Sequence, residues 1–367
     1  MTTNRRPSPR RTERRTRRPP RRAVVAAVAA LAVFAAGALV IPRPPQLSSD
    51  TSGDDRLVAE VRRLLDGEGA VRDRLSVAVI DGAEVRTAHF GATDDTEYEI
   101  GSVTKTITGS LLADAIDRGE VTGSTPLGDL LDVGGSAAAS ITLDELATQS
   151  SGLPRLPLSA GMIVSAIVAN FRASDPYRST LADLESDARA SAVGEKQFLY
   201  SNFGFALLGQ ALVAAAGADD YEALAAQRVF EPLGMRDSYA PSSRDGLRDT
   251  AVEGLTATGR TAAAWTMAAD SPAGSTRSTL ADMVRYARAQ LDGTAPGVAA
   301  TEPRADAGES RIGFAWLTSD DVTWHNGQTG GYASWVGFDR DADRAVVVLN
   351  GSSVSVDDLG LALMEAN

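Results

Sequence analysis

Three short stretches of the chain carry residue types that could perform acyl transfer. Ser102-Val103-Thr104-Lys105 heads an apolar-periodic run through Ile107, Leu111, Ala115 and Ile116, which predicts a helix beginning at the serine. Ser and Lys three residues apart share a helical face, so the amine can reach the hydroxyl. A serine hydroxyl is a weak nucleophile until a neighbouring base takes its proton. A partly desolvated Lys can act as that base once its pKa falls far enough. The helix N-terminus adds free N–H groups and positive dipole character where negative charge would develop. Tyr200-Ser201-Asn202 precedes a second helical run, Phe203 to Ala216. A phenol near a cation can relay a proton, and Asn202 can donate to a substrate carbonyl while accepting from an ammonium. His325-Asn326-Gly327-Gln328 ends a short strand. Gly327 would let a substrate backbone approach the strand edge. The Gln328 N–H would then join the Ser102 N–H as an oxyanion hole, at about 3 kcal/mol per donor. Each stretch alone also has a plain structural reading, because Ser and Asn are ordinary helix caps and Gly-rich turns are routine.

The elements that must bring these stretches together are legible in outline. Val58–Gly67 has helical periodicity, and Leu75–Gly91 reads as two strands around Asp81-Gly82, a strong hairpin signal. From about Gly101 to Gln290 the pattern is mostly helical with Gly and Pro punctuation. Strands return as RIGFAWLT, DVTWHN, ASWVGFDR and RAVVVLNG, and a helical stretch from about Val356 closes the chain. Residues 291–310 are expected to form a mobile surface loop. Strands from both chain ends around a helical middle predict an α/β fold of the α+β kind. Its antiparallel sheet would be built from both termini and flanked by helices, with a mostly helical region inserted.

Composition narrows the function classes. Residues 1–43 hold eleven Arg and a single acid, Glu13, although the whole chain carries a net charge of −12. The remainder is therefore strongly acidic and would repel phosphate backbones, which argues against a nucleic-acid partner. With 43% apolar residues the chain can bury a large core. There is no Cys, which removes thiol nucleophiles, disulfides and Cys-based metal sites. The two His, His89 and His325, show no metal-ligand spacing, so neither a metal nor a cofactor is expected. His89 alternates with apolar neighbours and reads as a solvent-facing or satisfied strand residue. Residues 1–22 form an Arg-rich tail expected to be disordered on the cytoplasmic side. Residues 23–41 are an uncharged apolar run of membrane-spanning length, either a retained anchor or a signal segment cleaved near Ala38. Residues 42–55 read as a linker and 56–367 as the folded domain. The Arg flank places that domain outside the cytoplasm, tethered to the membrane or secreted.

In combination the motifs are far more specific than they are singly. The order SVTK, YSN, HNG resembles the serine β-lactamase and DD-peptidase superfamily, nearest its class C-like, D-alanyl-D-alanine carboxypeptidase and esterase branch. Four further stretches are similar to family text: ITLDELATQSSGLP, FLYSNFGFALLGQ, VFEPLGMRDS and PAGSTRSTLADMVRYA. The resemblance covers roughly Val58 to Asn350. It implies an acyl-enzyme on Ser102, with Lys105 and Tyr200 sharing activation of the nucleophile and protonation of the leaving group. Asn202 would orient Lys105 and the substrate amide, and His325 would add positive or hydrogen-bonding character near Tyr200. Asn326 stands where Thr or Ser is frequent in the family, which weakens recognition of a substrate carboxylate and argues against an efficient β-lactamase. The implied substrate is a small molecule or peptide, with cell-wall peptides among the candidates, cleaved by a D-Ala-D-Ala-type peptidase or an esterase. The alternatives are a β-lactamase or a non-catalytic sensory module that kept the fold.

Overall fold

The computed structural model describes residues 45–366; the expected Arg-rich tail and apolar run fall outside them. Among the described residues thirteen strands form: β1 (Thr51–Gly53), β2 (Leu75–Asp81), β3 (Glu84–Phe90), β4 (Tyr98–Glu99), β5 (Gly254–Leu255), β6 (Thr261–Ala262), β7 (Arg277–Ser278), β8 (Ala305–Ala307), β9 (Ser310–Ile312), β10 (Leu317–Ser319), β11 (Val322–Gln328), β12 (Ala333–Asp339) and β13 (Arg344–Asn350). The principal helices are α1 (Asp55–Leu64), α2 (Thr104–Asp117), α3 (Leu143–Ala147), α4 (Ala160–Arg172), α5 (Leu181–Ala190), α6 (Asn202–Ala216), α7 (Leu280–Leu291) and α8 (Asp357–Glu365).

One sheet runs in the order β1-β3-β2-β13-β12-β11-β10-β9-β8. Its centre is the antiparallel pairing of β2 with β13, from Leu75 opposite Asn350 to Asp81 opposite Arg344, which joins the two ends of the chain. Both faces of these strands are covered, so they read as continuous apolar runs rather than as an alternation. Ala345, Val347 and Leu349 face the larger core with Ala78 and Ile80. Val346 and Val348 face the smaller one with Leu75, Val77 and Val79. That smaller core is closed by Leu57 and Val61 of α1 and Leu359 and Leu363 of α8. The larger core packs the inserted helices, with α2 at its centre and every residue from Val103 to Leu112 buried.

Two segments differ from expectation. Thr51–Gly53, assigned to the linker, pairs with β3 as an edge strand, and Asp54 then caps α1 by accepting the Leu57 N–H at 2.8 Å. A three-residue edge strand engages through its backbone, so its side chains carry no apolar signal. Within 291–310, Ala300 is fully buried in the larger core and Ala305–Ala307 begins the β8–β9 edge hairpin. His89 is a satisfied strand residue: Nδ1 lies 3.0 Å from Ser76 Oγ and Nε2 3.1 Å from Asp94. Among the described residues no helix is long and apolar enough to cross a membrane.

Candidate active site

Ser102 sits in a single 3-10 turn, Gly101–Val103, that runs directly into α2. Two glycines let this turn lie against β11. Gly101 adopts φ +51°, and a Cβ there would come within 2.6 Å of the Gln328 nitrogen. A Cβ on Gly327 would meet the Ile100 carbonyl oxygen at 2.0 Å and Ser334 Oγ at 2.5 Å. The Cβ position of Gly327 is thus taken by the turn that carries the serine, while the residue itself lines the same cleft as Ser102. The turn is pinned from both sides. Ser334 on β12 donates to the Ile100 carbonyl at 2.7 Å, and the Ile100 N–H donates to Thr276 O at 3.0 Å.

Lys105 is fully buried on the first turn of α2. Its Nζ donates to Ser102 Oγ at 3.2 Å and to the Ala273 carbonyl at 2.6 Å, and lies 4.9 Å from the centre of the Tyr200 ring. Burial, and then the Arg155 charge, hold its amine well below the ordinary lysine range. Tyr200 precedes α6, whose N-cap Ser201 accepts the Gly204 N–H at 2.9 Å and donates to Pro154 O at 2.7 Å. Gln149, itself at φ 58°, accepts the Ser201 N–H on its side chain and the Leu199 N–H on its carbonyl, bracketing the tyrosine. Burial pushes the Tyr200 phenol up to about 12, opposed by its hydrogen bond with Ser102 and by Arg155.

His325 comes from β11 and packs with its ring centre 6.4 Å from that of Tyr200. Its Nδ1 lies 2.5 Å from the Asn326 carbonyl. Burial, and then Lys105, lower it to about 3. It is therefore a neutral hydrogen-bonding group at pH 7, without the positive character the resemblance allowed. Asn202, expected to orient Lys105, instead donates to the Tyr177 hydroxyl at 2.8 Å. Its side-chain oxygen is buried and has no partner among the described residues. Asn326 is drawn to the start of α8, where it donates to Asp357 at 2.8 Å.

Ser102, Tyr200, Asn202, Asn326, Gly327 and Gln328 all line one open cleft of ≈ 460 Å³, with Lys105 and His325 buried behind it. Sequence reasoning missed other residues of its wall, among them Arg155, Tyr177 and Trp265. Arg155 directly follows the family-like SGLP, whereas Tyr177 and Trp265 belong to loops without a readable pattern. Arg277 is structural: buried, it bonds to Glu97 and, at 2.8 Å, to Glu99. Trp316 and Trp335 are core residues. Among the described residues no group of His, Asp or Glu is arranged to hold a metal ion.

With this geometry in hand, known proteins give concordant matches. The family described as Beta-lactamase matches residues 61–362. D-alanyl-D-alanine-carboxypeptidase/endopeptidase AmpH of Escherichia coli K12 is 31% identical over 190 residues, 48% of this chain and 47% of that protein. The chain thus spans about half the length of this relative. Penicillin-binding protein 4 of Amycolatopsis lactamdurans is 27% identical over 266 residues, covering 70% of this chain and 66% of that protein. A class C beta-lactamase from Rhodobacter sphaeroides superposes with a TM-score of 0.71 at 20% identity, over 84% of this chain and 97% of the other. That likeness establishes the fold: a class C β-lactamase architecture with its sheet built from both ends of the chain.

Proposed function

Because the chain belongs to the beta-lactamase family of serine acyl-enzyme hydrolases, we propose that it hydrolyses an amide or ester of the D-Ala-D-Ala-peptide or small-ester class through an acyl-enzyme on Ser102. One observation carries the reading: a buried amine lies 3.2 Å from a serine hydroxyl at the edge of a solvent-open cleft, with a phenol over both. The opposite displacements of the two titrating groups support a division of labour. Lys105, lowered well below its usual range, is available uncharged to accept the Ser102 proton. Tyr200, raised to about 12, keeps its proton and can deliver it to the leaving nitrogen or oxygen. Ser102 Oγ bonds to the carbonyl carbon while Lys105 takes the hydroxyl proton. The tetrahedral oxyanion points to the Ser102 and Gln328 N–H groups. Collapse breaks the bond to the leaving group as Tyr200 protonates it, and the proton on Lys105 restores the phenol. Water then adds to the acyl carbonyl and gives a proton to Lys105, and the ester bond to Ser102 Oγ breaks as that proton passes to the serine oxygen, releasing the acid. The neutral His325 holds the wall beside Tyr200.

The relative named as a D-alanyl-D-alanine-carboxypeptidase/endopeptidase favours a cell-wall peptide as substrate. The Arg-rich start followed by an apolar run at 23–41 supports membrane tethering or secretion, with the catalytic domain outside the cytoplasm. The test uses the purified full-length chain against a nitrophenyl ester, a D-Ala-D-Ala peptide and a cephalosporin, with fluorophosphonate and fluorescent-penicillin labelling in parallel. Turnover and label should both vanish in Ser102→Ala. Equal labelling and turnover in that variant would move the nucleophile away from Ser102, and none in the parent leaves a binding module in its place.

A further inference from the structure

We propose that Arg155 is an anion subsite of the Ser102 cleft and selects acyl substrates that carry a carboxylate near the scissile bond. This rests on the acyl-enzyme reading above. Its starting point is a contrast of charge. The chain carries −12 overall, yet among the described residues lining the cleft Arg155 is the one charged side chain. Among the described residues its guanidinium has no ion pair and no side-chain hydrogen bond, and its neighbour is the Tyr200 ring. It is exposed, so pairing with a ligand would forfeit little existing structure.

The side chain is nevertheless placed. The Arg155 carbonyl accepts N–H groups from Asn202 at 3.0 Å and Phe203 at 3.3 Å, which ties its backbone to the first turn of α6. The guanidinium carbon stands 5.2 Å from the centre of the Tyr200 ring, a cation–π arrangement that steadies the stem while leaving the fork free. Its charge is felt by Lys105, Tyr200 and Tyr177, all at the reaction centre. A planar guanidinium pairs bidentately with a carboxylate, giving orientation as well as attraction.

The strand side of the cleft cannot perform this task in the same way. Its lining residues Asn326, Gly327, Gln328 and Thr329 include no cation, Asn326 gives one amide N–H to Asp357, and His325 is neutral. Two acids near the cleft are engaged elsewhere: Glu99 with Arg277 and the Trp265 N–H, and Asp175 with the N–H groups of Thr266 and Met267. Recognition of a substrate anion therefore moves from the strand wall to the wall formed by the segment before α6.

The test measures kcat/KM for matched pairs of esters or peptides, one bearing a free carboxylate and the other its methyl ester or amide. One series places the group on the acyl side and another on the leaving side. Each is run on the parent enzyme and on Arg155→Gln, Arg155→Lys and Arg155→Glu. The quantity read is the ratio of carboxylate to neutral substrate within each variant, so any effect on Lys105 common to both substrates cancels. Arg155→Gln should lower that ratio by about 10- to 100-fold, the size of one charge-assisted hydrogen-bonded pair. Arg155→Lys should recover part of it, and Arg155→Glu should invert the preference. The series that responds identifies the end of the substrate that meets Arg155. Ser102-dependent turnover with a ratio that moves less than twofold in Arg155→Gln in both series overturns this assignment alone. Absence of Ser102-dependent turnover on every substrate overturns the acyl-enzyme reading and this assignment with it.

Discussion

Gly327→Ala isolates the contact that sets Ser102 against β11, and so tests the proposed nucleophile. Residue 327 lies in an extended strand, so added volume rather than backbone strain decides the outcome. The new Cβ would lie 2.0 Å from the Ile100 carbonyl oxygen and 2.5 Å from Ser334 Oγ. Ordinary carbon contacts begin near 3.5 Å, so the Ile100–Ser102 turn or the strand must retreat by about an ångström or more. Overpacking of this kind costs about 1–3 kcal/mol. A domain of ordinary stability, about 5–15 kcal/mol, stays folded through such a loss. Catalysis is more sensitive, because misplacing reacting groups by about 1 Å can lower the rate about 100-fold. The expected result is a fall of about two decades in kcat/KM for whichever substrate the parent enzyme hydrolyses, with slower fluorophosphonate labelling of Ser102. Gly337→Ala is the matched control. Its Cβ would press on the Trp335 ring at 2.3 Å, in the sheet and outside the cleft lining. It should lower the melting temperature comparably and leave kcat/KM per folded molecule near the parent value. If Gly327→Ala keeps kcat/KM within threefold, or both variants lose activity only as folded fraction falls, the docking of the serine turn through Gly327 is refuted.

Arg277→Met leaves Glu97 and Glu99 buried without their cation. Unfolding free energy by urea titration should drop by about 3–5 kcal/mol, and a loss below about 1 kcal/mol would contradict the assignment of that trio as a structural clamp. His325, lowered to about 3 by burial and Lys105, should show no imidazole titration by NMR between pH 5 and 8. The unfolded chain binds that proton near 6.5 and the folded chain does not. The resulting stability is thus fully present above pH 6.5 and is lost as pH falls toward 3, at about 1.4 kcal/mol per unit. His325→Gln should therefore flatten the fall in urea stability between pH 7 and pH 4.5. Lys105→Met should abolish labelling of Ser102. It should also flatten the rise of stability with pH below 10.5, since the folded parent rejects a proton that its unfolded chain holds. Arg155→Gln removes a charge that disfavours the protonated amine, so the acid limb of the pH–kcat/KM profile should move to higher pH.

Periodicity and local rules sufficed for much of this protein. The Asp81-Gly82 turn made the β2–β3 hairpin readable because a two-residue connection imposes its own register, with Asp81 opposite Glu84. The run RAVVVLNG announced a strand covered on both faces, since no polar alternation interrupts it. Ser102 and Lys105 could be paired in advance, as one helical turn necessarily brings positions three apart together. Thr51–Gly53 and the β8–β9 hairpin stayed hidden because short edge strands hold through backbone groups that every residue shares.

What only the tertiary structure decided is the state and setting of those groups. Lysine is basic in any sequence; its lowered pKa arises from burial among residues as distant as Ala273, which removes water from the amine, and then from the Arg155 charge. Gly327 looked like a bare strand position, and only the packed chain shows that a side chain there would strike the serine's own turn. Asn326 lines the cleft, and only the packed chain shows that one of its amide N–H groups is taken by Asp357 of α8. Desolvation and contact are properties of neighbours far apart along the chain, so no local spacing could have reported them.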